Sequence, residues 1–311
     1  MDNKPILDLE QQNTSSRVHT PGTGLKFIYT GYQKCGTKTI AQAFRLLNYS
    51  VCDVEEFMVL HAKKWTKFFS HKTTTVEKKN LLREMYQNFD VAVEGPNIIF
   101  WKEILEVFPD CKVVHWHRHE DEWYKSFRKQ VIEVKNEIMP LPSWLSWIVI
   151  YGFVPTLRNV GHAYKYLGPL YCGDRRSWLS PWTDEIDTVN EIVVKRQYRL
   201  HYTDVLSNCP PDKLLILKSV NCGWDTLCNF TGDKVPNLEW PHVNKSGQNE
   251  IADNIGSVRL VLSNRPCGIL TASVRKDLRW SVGCFLLGIF VLVMAIMIGM
   301  KYGDKISLIK F

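Results

Sequence analysis

Three signatures that would assign a function at once are missing from this chain of 311 residues. Its nine cysteines form no C-x-x-C pair, and the closest two, Cys222 and Cys228, have a spacing that matches no common zinc site. No loop ends in the Gly-Lys-Ser/Thr of a Walker A motif. The first 24 residues contain no apolar run of the kind that a secretory signal carries. The sequence therefore disfavours a zinc module, an ATP or GTP hydrolase and a secreted protein.

The charge is not strongly of one sign either. The net charge of +7 suits an anionic ligand or an acidic membrane surface, and equally a mildly basic solvated surface. We expect no nucleic-acid partner. A hydrophobic fraction of 45% is enough for a large buried core. Cysteines scattered in apolar runs, such as Cys111 and Cys284, are typical of small buried side chains in a reducing compartment.

One long apolar run is present near the C-terminus. Residues 281–300, SVGCFLLGIFVLVMAIMIGM, contain no charge, and a helix of that length spans roughly 30 Å, the thickness of a bilayer core. Basic and aromatic residues flank the run as interfacial anchors do: Arg275, Lys276, Arg279 and Trp280 on one side, Lys301 and Tyr302 on the other. The alternative is a buried core helix. We predict a single-pass transmembrane helix, with a linker over 266–280, a short tail over 301–311 and the preceding domain in the cytosol.

The chain before the span alternates strand-like and helix-like segments. Residues 1–24 are polar, end in the breaker cluster TPGTG, and predict a flexible arm. Four apolar runs predict strands, and the helical segments between them predict an α/β fold, with a P-loop-type parallel sheet flanked by helices over residues 25–265. The runs are LKFIYT, residues 89–95, CKVVHWH and residues 213–219, and the helical segments are TKTIAQAFRLLNY, NIIFWKEILEVF and DEWYKSFRKQVIEVKNEI. Residues 140–186 interrupt the alternation and are rich in aromatic residues, which predicts an inserted lid or a membrane-facing surface.

The turn after the first strand has the features of a phosphate cradle. Gly31 and Gly36 lie between the strand and a segment with apolar residues at helical spacing. The free N–H groups and positive dipole end of a helix's first turn bind anions, and Gly36 lets the backbone approach closely. Thr37 occupies the position of the Walker A lysine, so the basic residue of this loop is Lys34. A tight turn without a ligand is the alternative reading.

With this loop the sequence resembles the sulfotransferase superfamily, whose members use 3′-phosphoadenosine 5′-phosphosulfate as donor. The loop of that family, K/R-x-G-T-x-S/T, is matched here by Lys34, Gly36, Thr37 and Thr39. Arg118 and Ser126 match a second element, R-x₇-S, after the third predicted strand. Residues 223–244 match a further pattern of a branch common in invertebrates, fungi and plants, several of whose members also carry a C-terminal anchor. The resemblance covers about residues 25–246.

The resemblance implies a role for each matched residue. The donor's 5′-phosphate would be held by the loop residues Lys34, Cys35, Gly36, Thr37, Lys38 and Thr39. Arg118 and Ser126 would grip its 3′-phosphate, and the physical basis is independent of the family, because arginine binds phosphate in a bidentate manner. Lys34 would also stabilise the leaving phosphate. Glu94, in the step Glu94-Gly95-Pro96, would be the general base, although a solvated cap or an ion pair is the ordinary role of such a residue. Lys38 departs from the family, where a neutral residue is common.

Two other functions compete with a sulfotransferase. A P-loop nucleoside or small-molecule kinase would share the sheet, but the Gly-Lys-Ser/Thr ending and an aspartate for Mg²⁺ after VVHWHR are missing. A catalytically inactive, membrane-anchored protein of the same fold is the alternative outside the enzymes. The acceptor, a small molecule or a lipid, cannot be read from the residues, and the oligomeric state stays open. The span and the aromatic segment favour an apolar alcohol.

A few further residues are of interest to the same site. His115, His117 and His119 alternate on one face of the third predicted strand, but such a row more often packs in a core or lies near an anion, and we expect no metal. His242 and Asn244 are expected to help close the nucleotide pocket. Trp224 and Trp240 would stack on adenine or fill the core.

Overall fold

The computed structural model describes residues 24–138, 152–173, 190–219, 221–241 and 268–307. The strands are β1 (Phe27–Tyr29), β2 (Val51–Cys52), β3 (Val91–Ala92), β4 (Lys112–Trp116) and β5 (Leu214–Leu217). The helices are α1 (Thr37–Leu46), α2 (Val54–Glu56), α3 (Ala62–Phe69), α4 (Thr75–Tyr86), α5 (Trp101–Val107), α6 (Glu120–Ile138), α7 (Pro155–Cys172), α8 (Glu191–Asn208), α9 (Gly223–Thr231) and α10 (Ile269–Ser307). A π-helical turn (Phe57–His61) and two 3₁₀ turns (Pro96–Ile98 and Pro211–Lys213) complete them.

The chain divides into two compact units. The first comprises residues 1–53, 78–118 and 205–244, and the second comprises residues 54–77, 119–204 and 245–311. All five strands belong to the first unit and form one sheet in the order β2-β3-β1-β4-β5, with every neighbouring pair parallel. The predicted α/β fold with a parallel sheet flanked by helices is therefore confirmed.

The core of the first unit is apolar and aromatic. Most residues of the inner strands are buried because helices cover a parallel sheet on both faces. Ile40 and Phe44, at i and i+4 on α1, are fully buried against the sheet, as the helical spacing predicts. Trp224 belongs to this core and contacts Trp240 edge to face at 5.0 Å, while its indole N–H donates to the Leu238 carbonyl at 2.7 Å.

The second unit is helical in the part of the chain that the structure describes. Its interior contains aromatic pairs: Trp123 of α6 stacks on Tyr198 of α8 with ring centroids 4.1 Å apart, and Phe57 contacts Tyr164 of α7 at 5.9 Å. Ion pairs also join α6 to α8, where Lys195 binds Asp121 at 2.5 Å and Arg199 binds Glu120 at 2.5 Å. Packing of aromatic side chains therefore joins helices that are distant in the sequence.

The C-terminal helix α10 has two different halves. Leu270, Thr271 and Val274 are buried against the second unit, whereas the side chains from Val282 to Met294 are exposed. The segment Ile269–Met294 is long and apolar enough to cross a membrane. The helix begins at Ile269, so most of the predicted linker over 266–280 is helical.

Several elements of the structure were not predicted from the sequence. The edge strand β2 and the helices α2, α3 and α4 fall in a stretch to which no element was assigned. Within the predicted lid, residues 155–172 form α7, and residues 140–151 and 174–186 lie outside the described residues.

Candidate functional site

Four charged residues of the first unit follow four neighbouring strands. Lys34 lies in the turn after β1, and Asp53 directly follows β2. Glu94 follows β3 by two residues, and Arg118 follows β4 by two residues. Carboxyl ends of parallel strands meet at one edge of the sheet. The chain leaves β1 toward β2 and leaves β4 toward β5, in opposite directions, and open α/β sheets bind ligands at such a switch point.

The turn after β1 is fixed by the backbone. The N–H of Thr30 donates to the Val114 carbonyl at 2.9 Å, and the N–H of Cys35 donates to the Tyr32 carbonyl at 2.9 Å. Gly36 has φ 70° and ψ 20°, which a glycine adopts at little cost. The first helical bond of α1 runs from Ile40 to Gly36, and no side chain caps the helix. The N–H groups of residues 37–39 therefore have no partner within the helix.

Tyr29 supports this turn from below. Its hydroxyl donates a short hydrogen bond to the Cys35 carbonyl, so the ring lies across Gly31. A Cβ on Gly31 would be 2.5 Å from that hydroxyl oxygen, closer than Cβ contacts occur. Burial, with smaller contributions from Cys35, Cys222 and Glu94, raises the pKa of Tyr29 well above its usual value, so the phenol stays protonated and donating. Gly31 is required here for space.

Glu94 is a buried carboxylate with several partners of the first unit nearby. Burial raises its pKa above the ordinary value of 4.5, and the negative charge of Asp53 adds to the rise. Lys38, a hydrogen bond from the Thr37 hydroxyl, and Lys34 act in the opposite direction without reversing it. Gly95, the next residue, has φ 91° and ψ −155°, a conformation that is essentially restricted to glycine. The raised pKa is what a general base requires.

Lys38 is held by a buried aspartate. Its Nζ lies 2.8 Å from Oδ2 of Asp53, which is only 2% exposed, and Nη1 of Arg45 is 3.8 Å from the same oxygen. Burial lowers the pKa of Lys38, but the carboxylates of Asp53 and Glu94 outweigh burial, so the pKa is raised. Lys38 is thus a fixed cation between two carboxylates. The sequence led us to expect Lys38 at the donor's phosphate and did not predict this arrangement.

Arg118 and Ser126 lie in different units. Arg118 is partly buried at the end of the first unit, beyond β4. Ser126 is partly buried on the second turn of α6, in the second unit. β4 is tied to β1 by its His115, whose Nδ1 is 2.9 Å from the Thr30 hydroxyl. The ends of β1 and β4, with Lys34 and Arg118 beyond them, are adjacent through this bond and the strand register.

Two polar residues at this edge of the sheet were not predicted from the sequence. Asp53 follows a strand of two residues, too short to give a pattern. Asn97, three residues after Glu94, is 0% exposed, and neither atom of its side-chain amide has a hydrogen-bond partner among the residues that the structure describes. A buried amide normally has a hydrogen-bond partner. In the sequence, the only signal for Asn97 was its position directly after Glu94-Gly95-Pro96.

Within the described ranges no group of three or more His, Cys, Asp and Glu residues could hold a metal ion. Trp224 fills the core rather than lying open to a ligand, with Trp240 packed against it. His242 and Asn244 lie outside the described residues.

Two comparisons with known proteins agree with this picture. A family model described as "Sulfotransferase domain" matches residues 26–249. A curated protein of Aspergillus versicolor, "Ava biosynthesis cluster protein M", is 26% identical over 234 residues, which cover 72% of this chain and 83% of that protein. The matched region contains the turn after β1, Asp53, Glu94, Arg118 and Ser126, and ends before α10.

Proposed function

Because this chain belongs to the sulfotransferase domain family, we propose that it transfers a sulfuryl group from 3′-phosphoadenosine 5′-phosphosulfate to a hydroxyl or amine acceptor. One observation carries the proposal. The Thr37 hydroxyl, on the first residue of α1, donates to the buried carboxylate of Glu94. An anion-binding helix end and a candidate base are therefore one hydrogen bond apart.

Binding of the donor is assigned to residues of the first unit. The N–H groups of residues 37–39 point out of the first turn of α1, where the helix dipole favours a phosphate. Lys34, with its φ of 68°, adds a positive charge in the same turn. Cys35, Gly36 and Thr39 complete the loop that would surround the 5′-phosphate. We assign the 3′-phosphate to Arg118, because arginine offers paired N–H donors; the role that the family resemblance implies for Ser126 stays an expectation.

In the proposed transfer step, Glu94 acts as the general base. Glu94 accepts the proton of the acceptor hydroxyl while the acceptor oxygen bonds to sulfur. The bond between sulfur and the bridging oxygen breaks, and the electron pair leaves on the 5′-phosphate of adenosine 3′,5′-bisphosphate. Lys34 and the N–H groups of α1 stabilise that charge. A carboxylate whose pKa lies above 4.5 takes up a proton more readily than a solvated one.

Asp53 and Lys38 set the environment of this base. The 2.8 Å ion pair fixes Lys38, so the cation near Glu94 cannot rotate away into solvent. Lys38 lowers the pKa of Glu94 and Asp53 raises it. We assign the pair a positioning role: it holds the base between two opposite charges, neither of which takes part in proton transfer.

We further propose that α10 anchors the protein in a membrane as a single-pass helix, with the catalytic units on the cytosolic side. The exposed apolar side chains between Val282 and Met294 support it, because so large an apolar surface is stable only in lipid or against a partner. An enzyme held at a membrane meets lipophilic alcohols at high local concentration, and we propose such an alcohol as acceptor.

Ligand binding tests the donor assignment directly. The purified full chain in detergent should be stabilised against heating by adenosine 3′,5′-bisphosphate without magnesium, with a shift of several degrees at saturation. Stabilisation by ATP and magnesium alone would instead favour the kinase. Mass spectrometry of lipid extracts from cells that express the chain and receive labelled sulfate should find a new sulfate ester. Products confined to water-soluble carbohydrates would contradict a lipophilic acceptor, and binding without any product would favour the inactive protein.

A further inference from the structure

One exposed aromatic residue lies just before α7, and another lies on α10. Phe153, just before α7, is 42% exposed, and Trp280 of α10 is 67% exposed. Both belong to the second unit. Single exposed apolar residues are ordinary on a soluble surface. Phe153 and Trp280 are of interest because of their position relative to the apolar span of α10.

Two hydrogen bonds fix the start of α7 to α10. The Ser281 hydroxyl donates to the Phe153 carbonyl at 2.8 Å. One turn earlier, Oδ2 of Asp277 accepts from the N–H of Thr156 at 2.7 Å. Asp277 thereby caps α7, whose own N-cap residue, Val154, provides no side-chain bond. The two contacts lie on one face of α10, four residues apart.

The two contacts also fix the position of Phe153 along the axis of α10. Ser281 is the first residue of the uncharged run, and Phe153 is bonded to it. The preceding residues Leu270, Thr271 and Val274 are buried, so α10 leaves the second unit as one continuous helix. If α10 crosses a bilayer, Phe153 lies where the apolar phase begins.

We propose that Phe153 and the start of α7 form a second membrane contact, which rests in the headgroup region beside the span. The inference depends on the anchoring proposed above. Its partner is a bilayer with anionic headgroups. Aromatic side chains favour that depth, and the exposed Lys276 and Arg279, on the same stretch of α10 as Trp280, supply the positive charge.

Site-specific photocrosslinking tests the contact in the full chain. Benzoylphenylalanine is placed at one position at a time, in membranes that contain phosphatidylserine, and lipid adducts are measured by mass spectrometry after irradiation. Phe153, Ile269 and Ile289 are matched in exposure at 42%, 41% and 44%. Ile269 lies about 18 Å from Ser281 along the helix axis on the protein side, and Ile289 lies about 12 Å inside the span.

We expect lipid adducts at positions 289 and 153, with on the order of tenfold fewer at 269, because that position lies beyond the headgroup layer. Adducts at 289 without adducts at 153 would overturn the second contact and leave the anchor intact. Equal adducts at 153 and 269 would overturn it as well. No adducts at 289 would show that the anchoring itself is wrong, and the inference with it.

A second reporter guards against a local folding defect at 153. Gly152 is exposed, and a Cβ there meets no atom within 4 Å, so a side chain can be attached there without a clash at its Cβ. Benzoylphenylalanine at 152 should crosslink to lipid as at 153. Vesicles of phosphatidylcholine alone should give fewer adducts at both positions if the anionic headgroup matters; unchanged yields would overturn the charge preference.

Discussion

Nζ of Lys38 lies 2.8 Å from Oδ2 of Asp53, and this ion pair joins the first turn of α1 to the end of β2. It places a fixed cation beside Glu94, which follows the neighbouring strand. The two charges act on the pKa of Glu94 in opposite directions. Substitutions at the two positions should therefore have opposite effects on the pH dependence of the reaction.

Asp53→Asn removes a negative charge that raises the pKa of Glu94, so the acid limb of kcat/KM should move to lower pH. Lys38→Met removes a positive charge that lowers it, so the limb should move to higher pH. Profiles of kcat/KM against pH, with thermal melting to verify folding, measure both shifts. Limbs that move in the same direction, or not at all, would refute the arrangement.

Glu94→Gln should reduce kcat by about 10²–10⁴-fold, the usual contribution of a general base. The affinity for adenosine 3′,5′-bisphosphate should change little, since the amide oxygen can still accept from Thr37. Turnover and calorimetric binding are measured on the same preparation. Glu106→Gln is the matched control, because its side chain is 58% exposed on α5 and away from any proposed role. Retained turnover in Glu94→Gln would place the base elsewhere.

The same substitution should stabilise the fold at neutral pH. The folded pKa of Glu94 is raised, so the folded state binds the proton more tightly than the unfolded chain does. Stability is then lost as pH rises above the ordinary value of 4.5, and Gln removes that loss. The difference in Tm between Glu94→Gln and the parent should grow as the pH rises from about 5 toward neutral. A difference that shrinks over this range would contradict the raised pKa.

Gly31→Ala should destabilise the fold by about 1–3 kcal/mol, as insertion of a carbon into a packed site does. The added Cβ would lie 2.5 Å from the Tyr29 hydroxyl. Denaturant unfolding measures the loss, and Gly152→Ala, which meets no atom within 4 Å, is the control. Adding Gly31→Ala to Tyr29→Leu should cost much less than adding it to the parent. Equal costs in the two backgrounds would mean that Tyr29 is not the neighbour that excludes a side chain.

The sequence predicted the elements that have long apolar runs. Four strands, the turn after β1 and the helices α1, α5 and α6 were found because their apolar residues have the spacing of strands or helices. β2 was missed because its two residues, Val51 and Cys52, become a strand only through pairing with β3. Asp53 was missed with it. The sheet order makes this carboxylate a neighbour of Glu94, and nothing local indicates that order.

Helix α4 was missed although a local signal was present. Thr74 and Glu77 form a capping box: the N–H of Thr74 donates to Oε2 of Glu77 at 2.8 Å, and the N–H of Glu77 donates to Oγ1 of Thr74 at 3.3 Å. The N–H and the hydroxyl of Thr74 both donate to the Glu77 carboxylate and lower its pKa. The position of Lys38 was harder to predict, because its ion pair with Asp53 spans fifteen residues and depends on a strand that has no recognisable sequence pattern.

The unbroken course of α10 has a mechanical consequence. A helix that is packed against the second unit at one end, and is continuous through the apolar segment, cannot change its tilt without carrying that unit with it. Helices respond to a thinner or thicker bilayer by tilting. If α10 spans a membrane, the thickness of that membrane would thus set the orientation of the second unit relative to the bilayer, and transfer between membranes of different lipid composition would reorient it without any ligand.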